Sequence, residues 1–402
     1  MREGWLDGPL VLGGGLAGAA VATLLARAGA RVTLVEQSAE PRHKMCGEFL
    51  STEACESLLT MGLDVRALGA VPVHYVRLAG AGRCVGHELP FEAQSLTRRV
   101  LDEAMLRMAE ESGVRVRRGK RVEALERDES GWRVRTSGVT GESQGEVLWA
   151  GDVFVASGKH DLRGHARRLE EVRREAQGIQ GVHGVKGAKG SPIAFKQYFR
   201  LETEQSAELC GAIELVLFRG GYAGLQMVEG GCANLCLLVE AMRYRELGGT
   251  WGGLLEALEA ESEHLRRRLG GAEAVLERPL SLARIPYGYL RREAAEPGLW
   301  YLGDQAAVIP SFSGDGMSIA LHTARVAAEV YGRGLGSRDL TRRLAAELSG
   351  LMWRATLLSR WMTTGAGQRV VCGAVRAMPS LLPRAAAATR IPAKVRARLG
   401  GG

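Results

Sequence analysis

The sequence predicts an α/β fold with a parallel sheet flanked by helices, a separate antiparallel sheet and a helical C-terminal region, and three observations carry the prediction. Short apolar runs at Leu10 to Leu12, Arg31 to Val35, Val153 to Ala156 and Leu299 to Leu302 have the length and composition of buried parallel strands. A glycine cluster and an alanine-rich helical stretch lie between the first two. Four strand-like runs, Ile193 to Leu201, Ala212 to Phe218, Tyr222 to Val228 and Ala233 to Val239, are separated by turn residues and suit an antiparallel sheet. With 402 residues, 46% of them apolar, the chain can bury a large core and hold more than one structural unit.

Leu10-Val11-Leu12 runs straight into Gly13-Gly14-Gly15-Leu16-Ala17-Gly18, a helix over Ala19 to Ala28, a stop at Gly29 and a strand ending at Glu36 and Gln37. Each part has a task. Gly13 permits the tight turn, Gly15 lets the backbone approach a pyrophosphate, and Gly18 allows close packing of helix on strand. Leu16 and Ala17, leading into the helix, and the helix's positive dipole end then offer N–H groups to phosphate. Glu36 sits where a carboxylate accepts both ribose hydroxyls of an adenosine. Strand, turn, helix, strand and acid in one register define a Rossmann-like dinucleotide site. The same glycines exclude a membrane span from the uncharged stretch Gly8 to Ala26.

The other end of the chain selects among dinucleotides. After Leu299 to Leu302, Gly303-Asp304-Gln305-Ala306-Ala307 resembles the second FAD fingerprint of the geranylgeranyl reductase and aromatic-ring hydroxylase (p-hydroxybenzoate hydroxylase-like) families, in which the aspartate binds the ribityl chain. Gly314-Asp315-Gly316-Met317 then opens a helix whose N-terminus would face the flavin ring edge. Arg98-Arg99-Val100-Leu101-Asp102 is similar to the Arg-x-x-Leu-Asp of these families, which implies that Arg98 lies near the flavin or its pyrophosphate. Arg121-Val122-Glu123 resembles the strand whose valine backbone reads adenine. Lys44-Met45-Cys46-Gly47-Glu48-Phe49-Leu50-Ser51 resembles the Lys-x-Cys-Gly-Gly-x-Leu-Ser of geranylgeranyl reductases, and its Gly-Glu also resembles flavin-dependent halogenases. The resemblance places this segment along the flavin ring, with Arg42 or Lys44 neutralising phosphate or reduced flavin and Cys46 as the candidate catalytic side chain; the alternative for Cys46 is a small buried thiol that fills space. The implied architecture is a Rossmann-like FAD-binding domain of the glutathione-reductase type.

The pattern departs from these families in several places. The Asp-Gly that many relatives carry after Val153 to Ala156 is Ser157-Gly158 here, followed by Lys159, His160 and Asp161, which weakens a hydroxylase reading. Tyr222-Ala223-Gly224-Leu225-Gln226-Met227 stands where the reductases carry a bulky Tyr-x-Trp-x-Phe-Pro wall and halogenases a Trp-x-Trp-x-Ile-Pro; Tyr222, Gly224 and Gln226 therefore predict a wider substrate pocket, unless another residue fills the gap. Pro310 stands one position early relative to Gly314. No second glycine fingerprint for a resident nicotinamide is present: Gly181, Gly184, Gly187 and Gly190 suit a loop. Electrons would come from transiently bound NAD(P)H or a reduced protein donor.

The FAD-binding domain is expected at 1–71, 91–165 and 281–338, interrupted by a substrate domain at 72–90 and 166–280. Pro72 to Pro90 reads as a crossover hairpin, Trp251 to Leu269 as one amphipathic helix and Ser281 to Tyr287 as the return to the FAD domain. Residues 339–402 form a helical basic C-terminal region. The chain carries +8 overall, but nine basic residues and no acid follow Gly350. That tail, with an apolar stripe of Leu351, Met352, Trp353, Leu357, Leu358, Trp361 and Met362, fits either a cap over the substrate pocket or peripheral contact with anionic lipid. Seven cysteines without metal-ligand spacing predict reduced thiols, no metal site and a cytoplasmic protein, with or without membrane association. No nucleic-acid partner is expected. The leading expectation is an FAD-dependent reductase of the geranylgeranyl-reductase-like type, acting on an isoprenoid or polyketide-like molecule. The alternatives are a monooxygenase, a halogenase and a flavin sensor without turnover.

Overall fold

The computed structural model describes residues 3–139, 145–165, 167 and 192–392. The glycines at 181, 184, 187 and 190 and the basic residues Lys394, Arg396 and Arg398 lie outside this range. Five short strands pair in parallel in the order Leu299–Tyr301, Val153–Val155, Leu10–Leu12, Thr33–Val35 and Arg115–Arg117. The four apolar runs read from the sequence supply four of them. Each is only three residues long, yet all but the last are fully buried, because helices cover one face and the antiparallel strands Lys120–Arg127, Trp132–Gly138 and Glu146–Ala150 pack on the other. Helix Leu16–Arg27 packs against helices Arg98–Glu111 and Gly316–Gly332. Trp300 stacks on Phe154 at 5.1 Å, and Tyr331 meets both rings edge-on.

Close approach explains two of the glycines. A Cβ on Gly18 would stand 1.8 Å from the Gly13 carbonyl oxygen, and one on Gly13 would stand 2.5 Å from that of Ala156. Gly13 also has φ +106°, outside the range of ordinary side-chain-bearing residues. The turn therefore seats helix Leu16–Arg27 directly over the strand ends. It starts three residues before the Ala19 read from the sequence.

The second layer is a nine-stranded mixed sheet. Its antiparallel core is Ile193–Arg200, Cys232–Val239, Gly221–Val228 and Ala212–Phe218, matching the four predicted runs closely. Ala212–Phe218 then pairs in parallel with Val71–Gly80, which turns back into Arg83–Ser95, so the sheet is not wholly antiparallel. The hairpin reaches Ser95 rather than Pro90 because its end pairs with Phe49–Leu50. Two further expectations are corrected. Trp251 to Leu269 is two helices, Trp251–Glu261 and Glu263–Leu269, since Ser262 leaves helical geometry and caps the second through Leu265 N. Leu280–Ala283 does not rejoin the parallel sheet; it pairs with Ile193–Lys196 in the mixed one, and the chain crosses over only afterwards.

The C-terminal region forms helices Ser337–Thr363, Gly365–Ala377 and Leu381–Ala388. The predicted apolar stripe splits between two faces: Leu351, Met352 and Met362 are buried, whereas Trp353, Leu357 and Trp361 are exposed.

A buried charge cluster ties the mixed sheet to its covering helices. Glu214, with no exposure, accepts from Arg268 Nη2 at 2.8 Å, Arg77 Nη1 at 2.9 Å and His264 Nε2 at 2.7 Å. Burial alone would raise the carboxyl, but His264 and Arg268 outweigh it and hold Glu214 down to about 2. Cys84 and Glu214 as hydrogen-bond partners push His264 up to about 9. The carboxylate's stabilisation is complete above its unfolded value of 4.5 and is lost as pH falls toward 2; that of the imidazolium is complete below 6.5 and is lost as pH rises through 9. We expect Glu214→Gln to lower the unfolding free energy by roughly 3 kcal/mol, because Arg268 is left buried without a full counter-charge. Urea titration at neutral pH checks this, and an unchanged midpoint would refute it.

Candidate functional site

Both glycine fingerprints open onto one cleft. Its outer part is lined by Gly13, Gly15, Glu36, Gln37, Arg42, Lys44, Val122, Gly158 and Asp304, and its inner part by Gly15, Leu16, Ala17, Cys46, Gly47, Arg98, Gly303, Asp304, Gly314, Gly316 and Met317. Gly15, Met45, Arg98, Ala156, Gly158, Lys159 and Asp304 belong to both parts. The two ends are close: a Cβ on Gly303 would lie 3.1 Å from that of Ala17.

No side chain caps helix Leu16–Arg27, so its N-terminal amides face the cleft. Lys44 and Arg98 approach the same point, at 3.7 and 3.4 Å from where a Gly15 Cβ would stand. Both cations are anchored by Asp102: Lys44 Nζ at 2.7 Å, and Arg98 Nε and Nη2 at 2.7 and 3.0 Å. Burial alone would raise the Asp102 carboxyl, yet these partners hold it below the usual carboxylate range. Arg98 is thus a mostly buried cation at the pyrophosphate turn, not a charge on a helix surface.

Glu36 stands at the strand tip, where its Oε2 accepts from Gly14 N at 2.6 Å and its Oε1 from Ser38 N at 2.8 Å. Asp304 faces Lys159 Nζ at 3.6 Å, and its carbonyl accepts from Arg167 Nη1 at 2.9 Å. Asp161, next to His160, is held by Arg167 Nε at 2.6 Å. Helix Gly316–Gly332 begins at Asp315, whose side chain does not cap it but is buried against Arg390 Nη1 at 2.8 Å. Burial pushes that carboxyl up to about 7 despite the arginine.

These features suit FAD. The amide-lined turn with two cations matches a diphosphate, Glu36 an adenosine ribose, Val122 a base, Asp304 a polyol linker, and the start of helix Gly316–Gly332 an electron-rich ring edge. At Gly15 only open cleft and two cation tips stand where a side chain would project, so this space is available to a ligand.

Beyond the two fingerprints the cleft continues into a chamber lined by Met45, Ala194, Ile213, Leu215, Tyr222, Leu237, Tyr287, Val308, Ile309 and Phe312. Tyr222 OH lies 2.6 Å from Ser311 Oγ, and its ring meets Phe312 edge-on. The wider pocket inferred from Gly224 and Gln226 is therefore corrected in part: Tyr287 and Phe312, from elsewhere in the chain, rebuild an aromatic wall. Gln226 is turned to another use, donating to Gly47 O at 2.9 Å and Ser95 Oγ at 2.6 Å, while Asn234 also donates to Gly47 O at 2.9 Å. Cys46 lines the chamber, with Sγ accepting from Glu48 N at 3.4 Å. Cys236 lines it too, and burial pushes its thiol up to about 11. All seven cysteines are free, and among the described residues no three His, Cys, Asp or Glu side chains are grouped to hold a metal.

Sequence reasoning missed Glu48, Lys196 and Tyr198. Lys196, wholly buried, places Nζ 2.6 Å from Glu48 Oε1 and donates to Lys44 O at 3.2 Å. The usable signal was a lysine amid the apolar run Ile193 to Phe199.

Residues 9–149 match the family model described as an FAD binding domain. The chain is 26% identical to a menaquinone reductase of Mycolicibacterium smegmatis over 330 residues, covering 81% of this chain and 76% of that one. It is 28% identical to a tryptophan 2-halogenase of Chondromyces crocatus over 337 residues, covering 79% and 60%. The solved structure of the flavin-dependent brominase Bmp2 shares the fold with a TM-score of 0.74 at 17% identity, covering 98% of each chain.

Two substitutions separate cofactor binding from folding. Gly15→Val should fold normally, since its side chain meets no backbone, yet fail to retain FAD because it fills the diphosphate's place. Asp304→Ala should weaken FAD at least about tenfold, or 1.4 kcal/mol. Flavin titration with circular dichroism checks both; full flavin content in either variant would refute the assignment.

Proposed function

We propose that this chain, an FAD-dependent oxidoreductase, is a reductase that adds hydrogen across a double bond of a hydrophobic molecule with isoprenoid or prenyl-quinone character. The observation that carries this reading is the apolar chamber that opens directly from the FAD cleft, with few polar groups to fix a hydrophilic substrate. Its support from relatives is the menaquinone reductases, which match most of the chain at 25–26% identity. The Lys44 to Ser51 segment, with its likeness to geranylgeranyl reductases, adds to it.

FAD, when bound, supplies the electron pair. The chain's own contributions are separate and local. Gly15, Lys44 and Arg98 hold the diphosphate, and Asp304 holds the linker. Tyr222, Phe312, Tyr287, Ile213 and Leu215 exclude water and pack the substrate against the ring. Cys46 stands at the boundary between the two. The electron donor is proposed to be NAD(P)H bound transiently or a reduced partner protein.

A second reading, oxygenation or halogenation of an aromatic ring, is favoured by the tryptophan 2-halogenase relative and by the aromatic wall itself. Product mass separates the two. Enzyme loaded with FAD and reduced anaerobically by dithionite is mixed with a menaquinone bearing an unsaturated prenyl chain. The reductase reading expects a gain of two hydrogens in the prenyl chain that persists after the quinone ring, which dithionite itself reduces, has been reoxidised. Products carrying oxygen or bromine, formed only with air and bromide present, would replace it with the second reading.

The exposed Trp353, Leu357 and Trp361 lie one turn apart on helix Ser337–Thr363, near Arg354 and Arg360, and no acid follows Gly350. We propose that this face rests on anionic lipid, delivering a membrane-dissolved substrate. No helix among the described residues is long and apolar enough to cross a membrane. Co-sedimentation with phosphatidylglycerol vesicles, but not phosphatidylcholine vesicles, is expected, with Trp353→Ser/Trp361→Ser weakening it. Equal binding to both lipids would overturn the proposal.

A further inference from the structure

We infer that Glu48, Tyr198 and His43 form a proton relay connecting an outer groove to the chamber, supplying the proton that accompanies each electron pair. The inference rests on the reading of the chamber as a reduction site. Glu48 lines the chamber but has no exposure, and it is held at φ +61°. Its Oε1 accepts from Lys196 Nζ at 2.6 Å, from Arg98 N at 2.8 Å and from Tyr198 OH at 2.8 Å; its Oε2 lies 2.9 Å from the same hydroxyl. On its other side Tyr198 OH lies 3.0 Å from His43 Nδ1, with the two rings 4.7 Å apart. Tyr198 and His43 both line a second groove, formed with Arg99, Val100, Glu103 and Glu229. His43 is half-buried there, so water reaches it without entering the chamber.

Three contacts of 3.0 Å or less thus join a sealed carboxyl to a solvent-accessible imidazole. Charge balance does not require them, because Lys196 already neutralises Glu48. A phenol between two titratable groups is useful because it can donate in either direction. When His43 is an imidazolium, its Nδ1–H passes to the Tyr198 oxygen while the Tyr198 proton passes to Glu48. The result is a neutral imidazole that keeps its Nε2 proton, an unchanged phenol and a carboxylic acid, and Nδ1 is reprotonated by water of the groove. In the chamber, reduction of a double bond consumes a hydride, drawn from reduced FAD, and a proton, drawn from the Glu48 acid. Glu48 returns to carboxylate, and the flavin is recharged with two electrons by the nicotinamide or protein donor.

The surroundings bring the two ends closer in proton affinity. Burial raises the Glu48 carboxyl, opposed by Lys196 and by hydrogen bonds from Lys196, Arg98 N and Tyr198. Burial lowers the His43 imidazolium, aided by Lys196 and Arg99 and opposed by Glu229. Cys46, Cys236, Tyr222, Tyr287, Lys159 and Asp304 are the other titratable groups lining the cleft, besides Arg98. A proton therefore crosses between sites of converging affinity, as efficient transfer requires.

The test mixes FAD-loaded enzyme, reduced beforehand and freed of excess dithionite, with the unsaturated prenyl menaquinone in an anaerobic stopped-flow instrument with a pH-indicator dye, so that proton uptake is read apart from flavin reoxidation. Tyr198→Phe keeps the ring and removes the link, whereas a Glu48 variant would leave Lys196 unpaired and confuse the result. Tyr198→Phe is expected to slow proton uptake at least about tenfold and to reduce its solvent isotope effect. His43→Ala should slow it similarly and be rescued by added imidazole, which cannot rescue Tyr198→Phe. Should His43→Ala be unstable, His43→Gln takes its place. Uptake at the wild-type rate in either variant with FAD retained, or no response to imidazole, would overturn the relay while leaving the function standing. A wild-type chain that binds no FAD would remove the function and the relay together.

Discussion

The ion pair between Glu48 and Lys196 is the contact on which the site depends. Lys196 belongs to the mixed sheet and Glu48 to the segment that leaves the parallel sheet, so this one fully buried pair joins the two layers at the point where they share a wall. Two charges withdrawn from water at 2.6 Å hold only if their remaining hydrogen-bonding capacity is met. It is met here by Tyr198, the Arg98 amide and the Lys44 carbonyl. Gln226 and Asn234 then take the Gly47 carbonyl, and residues 44 to 48 become a fixed partition with the diphosphate cations on one side and the chamber on the other.

That partition explains why the same few residues recur in every part of the site. Lys44 reaches Asp102 and the fingerprint turn, its own carbonyl binds Lys196, Cys46 lines the cleft, and Glu48 seals the far side. A short stretch of chain serves cofactor, substrate and scaffold at once because both sheets press on it. The left-handed backbone at Glu48, unusual for a residue with a side chain, is sustained by those surrounding contacts.

What could be read from the sequence was whatever is local. The turn at Gly13 to Gly18 and the fingerprint at Gly303 and Asp304 announce themselves because backbone geometry dictates their residues within a few positions. The four strands of the mixed sheet were equally legible from their alternation and turns. Long-range substitution of function was not. The aromatic wall seemed lost at Gly224 and Gln226, because nothing in the local pattern shows that Tyr287 and Phe312 arrive from the opposite sheet's connections. Lys196 and Gln197 in a strand ordinarily signal a solvent face; here both faces of Ile193–Arg200 are covered, one by Trp251 and its helix and the other by residues 44 to 48. The single amphipathic helix expected at Trp251 to Leu269 failed for a local reason, a serine whose capping bond outweighs helix continuation.

The bond between Arg390 and Asp315 bears on the order of events at synthesis. Asp315 starts the helix that faces the ring, and its partner comes from the last part of the described chain, braced against Phe49 and Phe91. The strand Leu299–Tyr301 that completes the parallel sheet is also late. A nascent chain on the ribosome that has exposed only the first fingerprint offers the nucleotide a turn without a floor. Cofactor capture therefore needs both fingerprints and the strand Leu299–Tyr301 in place together.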